Sequence, residues 1–306
     1  MNELNKNLLK LLKDDKSMKE IANELGISLK QLYVRLKYLI NYGYNINPIY
    51  YYNSDIKYEF KKDKFDIEKN KINIKMCDSD NNFRCLVVSD MHIGSVDGDI
   101  KLMNYVYEYA VKNNINVILN SGDTIEGDYT STPTSIHNIH SQLEHLLTKY
   151  PYDKNINNFM ILGNHDYHSL HFDSFDISKT IKNSRYDLIP IGAGQGNVNV
   201  RGDQIILFHK LYDGFKPDIK NGDKIVLSGH SHMMKTKLRD IFWLGVPTLS
   251  YKSNDKTKDV VPGFIDLNID LEKDKFEYVE AKHLIITPKV IQVSEVRGKV
   301  KNLFRK

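Results

Sequence analysis

The chain is 306 residues long, 41% hydrophobic and 27% charged, with a formal net charge of +4. That is enough for one large and one small domain with a sizeable core. No apolar run reaches membrane-span length, Met1 to Lys6 show no signal-peptide core, and no repeat of solenoid period is visible. The charge is only mildly basic and by itself makes no case for nucleic acid. Cys77 and Cys85 read as reduced thiols, Cys85 lying within an apolar run, so a cytoplasmic location is expected.

Residues 1–41 read as three helices. Leu4, Leu8, Leu9, Leu11 and Leu12 give the first an apolar face. Ser17 and Glu20 form a capping box that opens the second, with Ile21, Ala22 and Leu25 on its inner side. Gly26 permits a tight turn. Ser28 and Gln31 form a second box, opening a third helix with Leu29, Leu32, Leu36, Leu39 and Ile40 along one stripe. Small Ala22, turning Gly26 and apolar Ile27 resemble a helix-turn-helix. Ile46 to Phe60, interrupted by Asn53-Ser54-Asp55, looks like the β-hairpin of a winged variant, so residues 1–60 are expected to form a winged helix-turn-helix-like domain. Lys30, Gln31, Tyr33, Arg35 and Lys37 would then face a DNA major groove. The other reading is a module that docks a protein partner. Basic and acidic residues nearly balance over this segment, and a fold alone does not decide between the two.

Residues 61–82 read as a charged linker followed by an edge strand carrying Ile72, Ile74 and Met76. A large α/β domain is expected over 83–288, with helices over 99–113, 139–150 and 174–184. Its centre is a recurring pattern. Arg84 to Ser89 is an apolar run ending in Asp90-Met91-His92. Val117 to Ser121 runs into Gly122-Asp123, and Phe159 to Leu162 into Gly163-Asn164-His165-Asp166. Ile205 to Phe208 runs into His209, and Ile225 to Ser228 into Gly229-His230-Ser231-His232. Each buried strand delivers a metal-capable side chain at its carboxyl end, where open α/β sheets bind ligands. Ile241 to Ser250 and Gly263 to Val279 read as antiparallel strands completing a second sheet. Residues 289–306 read as a basic tail, with Lys289, Arg297, Lys299, Lys301, Arg305 and Lys306 against Glu295.

Asp90-x-His92, Gly122-Asp123, Gly163-Asn164-His165-Asp166, His209 and Gly229-His230-Ser231-His232, in this order, resemble the motifs of calcineurin-like metallophosphoesterases. The resemblance spans about residues 84–270 and does not reach the N-terminal helices. It implies a two-sheet β-sandwich flanked by helices. It also implies two metal ions bridged by Asp123, with Asp90, His92 and His232 at one and Asn164, His209 and His230 at the other. That many ligands exceed what one catalytic ion with open positions would take. Manganese is favoured by the resemblance, while iron, zinc and nickel suit the same ligands. In the resembling family a water held between the metals attacks phosphorus. His165 then looks like the general acid, with Asp166 as its support or as a packing residue. His168 and His171 come next in the same loop.

The second motif lacks the arginine that protein phosphatases place after its aspartate to grip a phosphomonoester, and Asp166 stands where they have glutamate. The Gly-His-Ser-His ending is closer to the phosphodiesterase and DNA-repair-nuclease branches. A two-metal phosphodiesterase acting on DNA is therefore the leading expectation. A phosphomonoesterase or small-nucleotide diesterase with a protein-docking N-terminal domain is the alternative. A DNA-binding regulator without catalysis is disfavoured by the intact ligand set. No membrane association is expected, and the oligomeric state is not read from the sequence.

Overall fold

A computed structural model describes residues 3–14, 16–41, 46–52, 57–60, 71–77, 79–128, 133–167, 176–220, 223–238, 241–252, 260–272 and 275–300. The turn at Asn53-Ser54-Asp55, residues 61–70 of the 61–82 linker, His168, His171 and the last tail residues lie outside them. The chain forms two compact units. Met1–Glu68 with Asn73–Cys77 make the first, and Lys69–Ile72 with Asp78–Lys306 the second.

In the first unit, α1 (Glu3–Leu11), α2 (Met18–Leu25) and α3 (Leu29–Asn41) precede a hairpin of β1 (Ile46–Tyr51) and β2 (Lys57–Phe60). Both capping boxes form. The Ser17 amide donates to the Glu20 carboxylate at 2.7 Å and the Ser28 amide to Gln31 Oε1 at 2.9 Å. Gly26 closes α2 in the left-handed region at φ 64°, which an L side chain enters reluctantly. Leu8, Leu12, Ile21, Leu32, Leu36, Leu39 and Ile46 fill the core. Leu29, expected on that stripe, is 37% exposed. It is the first residue of α3. Within the stretch read as linker and edge strand, β3 (Lys71–Lys75) pairs in parallel with β1 through Tyr50↔Ile74 and Tyr51↔Lys75, and Ile74 is buried.

The second unit is built on two mixed β-sheets flanked by helices. One runs β15 (Val290–Lys299), β14 (Lys275–Ile286), β13 (Gly263–Glu272), β4 (Asn82–Val88), β5 (Val117–Asn120), β6 (Asn157–Leu162) and β7 (Leu188–Ala193). The other runs β8 (Gln195–Val200), β9 (Asp203–Phe208), β10 (Asp223–Ser228), β12 (Phe242–Gly245) and β11 (Lys235–Leu238). They meet where β7 and β8 share the single pair Ala193↔Gln195. β4, β5, β6 and β7 are parallel, as are β9, β10 and β12, so their carboxyl ends gather ligand-bearing loops on one edge.

Helices α4 (Leu102–Lys112), α5 (Ile139–Lys149) and α6 (Ile177–Ser184) pack on the first sheet through Leu102, Val106, Leu143, Leu146 and Ile181, against Leu86, Ile118 and Met160. Two expectations change here. The β13–β14 hairpin adds to the first sheet beside β4 and not to the second, because β13 pairs along Asn82–Val87. Residues 290–299, read as the start of a basic tail, form β15 on β14, an outer strand whose side chains are mostly exposed. No helix among the described residues is long and apolar enough to cross a membrane.

The caps of α2 give a direct check. Ser17→Ala and Gly26→Ala should each cost the N-terminal unit about 1 kcal/mol, the first by removing a cap and the second by backbone strain alone, since a methyl at Gly26 meets open space. Urea titrations of the full chain monitored by tyrosine fluorescence would read both losses.

Candidate metal centre

The loops leaving β4, β5 and β10 hold their ligands on unusual backbone. Asp90 (φ 55°), His92 (48°), Asp123 (54°), His230 (69°) and His232 (54°) all sit in the left-handed region. Each such non-glycine residue is strained, and the strain persists only where surroundings over-determine it. Here they do. The Asp90 amide donates to Gly122 O at 2.9 Å and the His92 amide to Asp123 O at 3.1 Å, lacing the first two loops together. The His230 amide donates to the Asp90 carboxylate and the His165 amide to Asp123 Oδ1 at 2.9 Å. Thr248 Oγ1 donates to Asp90 O at 2.7 Å. Gly163 is required by close approach, because a methyl there would collide with the Asp123 carboxylate.

Among the described residues the donor atoms converge in three groups, two of them made of the expected ligands. Asp90, His92 and His232 form one. His232 Nε2 is 3.3 Å from Asp90 Oδ1 and 3.1 Å from His92 Nε2. Asp123, His209 and His230 form the other. His209 Nε2 is 3.1 Å from Asp123 Oδ2 and 3.1 Å from Asn164 Oδ1, and His230 Nδ1 is 3.0 Å from the same Asn164 oxygen. Asp123 Oδ2 also lies 3.9 Å from His92 Nε2, so one oxygen faces both groups.

Whether these side chains suit metal depends on where their protons go. His209 Nδ1 lies 2.7 Å from Ser121 O and His232 Nδ1 lies 2.8 Å from Lys252 O. A carbonyl oxygen only accepts, so Nδ1 carries a hydrogen in both rings and Nε2 is the nitrogen turned to the donor groups. His92 Nδ1 is 2.9 Å from the Glu126 carboxylate, with the same result. The neutral His92 ring thus turns Nε2 toward His232 Nε2 across 3.1 Å, and burial lowers the His232 imidazole but the Asp90 carboxylate lifts it above its usual value. His209 Nε2 faces two oxygen acceptors. Each arrangement calls for positive charge among the donors, as a proton or a metal ion, and outer partners of this kind are how proteins orient metal-binding imidazoles. The electrostatics agree. Burial pushes the His209 imidazole down, but the Asp123 carboxylate outweighs it and lifts the ring to about 9, so this group demands positive charge. Burial drives the His92 imidazole to about 4, keeping it neutral and able to ligate. Asp123 and Asp90 are pushed up by burial yet held below the usual range by the surrounding imidazoles.

His165 stands beside these groups with its ring edge-on to His92, centroids 4.6 Å apart. Its Nδ1 is committed to Glu126, 2.7 Å from the carbonyl and 3.6 Å from the carboxylate. Asp166 is fully buried and accepts the amides of Thr124, Ile125 and Gly163 at 2.9–3.1 Å. It clamps the second and third loops together, while Glu126 supplies the contacts at His165 Nδ1. Glu126 and Lys252 are the residues that sequence reasoning misses. Glu126 stands three positions after Asp123, close enough to the second motif to have been a candidate. No sequence signal marks Lys252.

The helix residues expected at DNA do not form one outward face. Lys30 and Gln31 on α3 are exposed, with Gln31 Oε1 taken by the Ser28 amide. Tyr33 is half-buried against Tyr58, and Arg35 Nη1 donates to Asn5 Oδ1 at 3.2 Å. The Lys37 side chain lies outside the described residues. Val34 and Tyr38, exposed at 63% and 56%, stand instead on the outer surface.

The shared carboxylate and the close glycine predict a clear split. Asp123→Asn and Gly163→Ala should weaken both ion sites, whereas His165→Ala should leave ion content intact and lower turnover about 10²–10⁴-fold. Metal analysis of each dialysed variant beside its rate on a small phosphodiester would read both. Loss of metal from His165→Ala would remove that residue from the proton-donor role.

A calcineurin-like phosphoesterase family model matches residues 83–290. Curated protein sequences give no match. Among solved structures, Vps29 from Chaetomium thermophilum aligns at TM-score 0.43 and 14% identity, covering 72% of this chain and 100% of that one. GAP50 of Plasmodium, described as the anchor in the inner membrane complex, aligns at 0.42 and 11%, covering 72% and 90%. Nuclease MPE of Pseudomonas putida aligns at 0.32 and 15%, covering 61% and 84%. The family match takes in every ligand-bearing loop of the second unit, and the grouped donors are those of a metal-dependent phosphoric ester hydrolase, so the chain belongs to the calcineurin-like phosphoesterase family.

Proposed function

We infer that the protein is a two-metal phosphodiesterase acting on DNA. The observation that carries the two-metal reading is Asp123, one of whose oxygens faces His209 at 3.1 Å and His92 at 3.9 Å. Asp90, His92 and His232 would hold one ion, and Asn164, His209 and His230 the other, with Asp123 between them. Bound divalent ions, manganese first among them, supply Lewis acidity for an incoming water and for the phosphoryl oxygens. The chain's own residues do the rest. The buried carboxylates set the charge that an anionic ester meets. His165, braced at Nδ1, offers Nε2 to protonate the departing oxygen, and Asp166 fixes the loop from which His165 projects.

The diester preference is supported by the three residues after Asp123. Thr124-Ile125-Glu126 offers no guanidinium for the extra charge of a monoester, and its one ionisable group is a carboxylate turned to His92. The N-terminal unit, with two boxed helices around Gly26 and a hairpin after them, is read as a winged helix-turn-helix that engages duplex DNA, with Lys30 and Gln31 as its exposed polar contacts. A specific observation favours a second reading of this unit. Exposed Val34 and Tyr38 would suit a protein partner. Cys77 and Cys85 are free thiols, which accords with a cytoplasmic setting.

Turnover of an aryl diester, an aryl monoester, and single- and double-stranded DNA with manganese would test the substrate class. Diester and DNA cleavage should exceed monoester cleavage, and faster monoester turnover would sink the reading. Lys30→Ala should weaken duplex binding and reduce its salt dependence by about 0.9 in log affinity per log salt, leaving the aryl diester rate unchanged. Unchanged duplex binding, with a partner lost in Val34→Asp, would give the N-terminal unit to protein docking.

A further inference from the structure

A third donor group stands in the site, formed by His92, Glu126 and His165. Unlike the other two, it already contains a cation supplied by the chain. Lys252 Nζ donates to both Glu126 oxygens, at 2.7 and 2.8 Å, and lies 3.4 Å from His92 Nδ1. The carbonyl of the same residue accepts from His232 Nδ1 at 2.8 Å. Residue 252 therefore holds one candidate ligand through its backbone and reaches a second through its side chain. Glu126 extends the link. Its carboxylate is 2.9 Å from His92 Nδ1 and 3.6 Å from His165 Nδ1, and its carbonyl is 2.7 Å from the latter. The Glu126 side chain is fully buried and that of Lys252 is 12% exposed.

Such a carboxylate needs a counter-charge, and two imidazoles share its oxygens. A flexible, hydrated partner would let it rotate between them. An ammonium donating to both oxygens fixes its plane and so the direction in which each imidazole hydrogen must point. We propose that Lys252 is a positioning residue: its ammonium fills the third donor group in place of a metal ion and, through Glu126, holds His92 and His165 in register with His232. The proposal rests on the two-metal reading above and adds a residue that no motif contains.

Lys252→Met keeps the side-chain stem and the backbone carbonyl while deleting the charge. Manganese titration of the metal-free, full-length chain by calorimetry should give two sites in the wild type. In the variant, one of them should weaken by about 10–100-fold while the other stays near its wild-type value. On aryl phosphodiesters, kcat should fall by a comparable factor with KM little changed. The loss should grow as the leaving group becomes poorer, since a misaligned His165 matters most there. Lys252→Arg, which retains the charge, should recover most of both losses. An ion pair that only stabilised the fold would lower the thermal midpoint without separating the two ion affinities or kcat from KM. Wild-type ion affinities and kcat in Lys252→Met overturn the proposal. Should that variant not fold, Glu126→Gln removes the carboxylate charge and one of the two oxygens that accept from Lys252, and is judged by the same criteria. A wild-type chain that takes up fewer than two ions overturns the functional reading itself, a result distinct from any effect of Lys252→Met.

Discussion

The second unit is arranged around a cluster of donors that calls for positive charge. Buried carboxylate oxygens and imidazole nitrogens are pointed at one another within 3.1–3.3 Å, and only protons or metal ions among them make the contacts favourable. Left alone, such a cluster would spread apart or take up protons, and His209, lifted to about 9, shows the second tendency. The surrounding architecture prevents the first. Parallel strands bring the loops to one edge, amides of His165 and His230 bind the aspartates, and carbonyls of Ser121 and Lys252 fix the rings. Left-handed backbone at five ligand positions adds strain of about 1–3 kcal/mol each, sustained by the cores beneath the strands.

Function grows out of that tension. A site that is short of positive charge draws divalent ions, and a site holding two of them draws an anionic ester. The same loops carry His165 to the edge of the cluster, so the elements that place the donor groups also place this imidazole. Asp166 shows how closely these demands are interlocked. Its carboxyl is pushed up by burial and by neighbouring Asp123, against the pull of three amides, yet those amides are what keep the second and third loops together.

Much of this is legible in residue order, because strands that end in Asp, Asn or His announce their own carboxyl edge. The two capping boxes are equally local, each needing only a serine and a residue three places on. What escapes is non-local. Lys252 meets Glu126 across a long stretch of chain, and nothing near Lys252 distinguishes it from a surface lysine. The helix period places Tyr33 on the outer face because it does not reveal that Tyr58 of the hairpin covers it. β15 reads as a tail because residues 289–306 carry six Lys or Arg against one Glu. Its order comes from main-chain pairing with β14, which leaves little trace in side-chain pattern.

The Asp166 clamp has a further consequence for how the centre is filled. Thr124, Ile125 and Gly163 are tied to a single carboxylate, so the segments bearing Asp123 and Asn164 cannot drift apart independently. The conformational entropy of gathering these donors is therefore lost when the chain folds, before any ion arrives. Ion uptake then resembles insertion into a rigid crown. Its speed is governed by how readily the ion sheds water, and discrimination between ions is governed by the size of a gap that the backbone has already set.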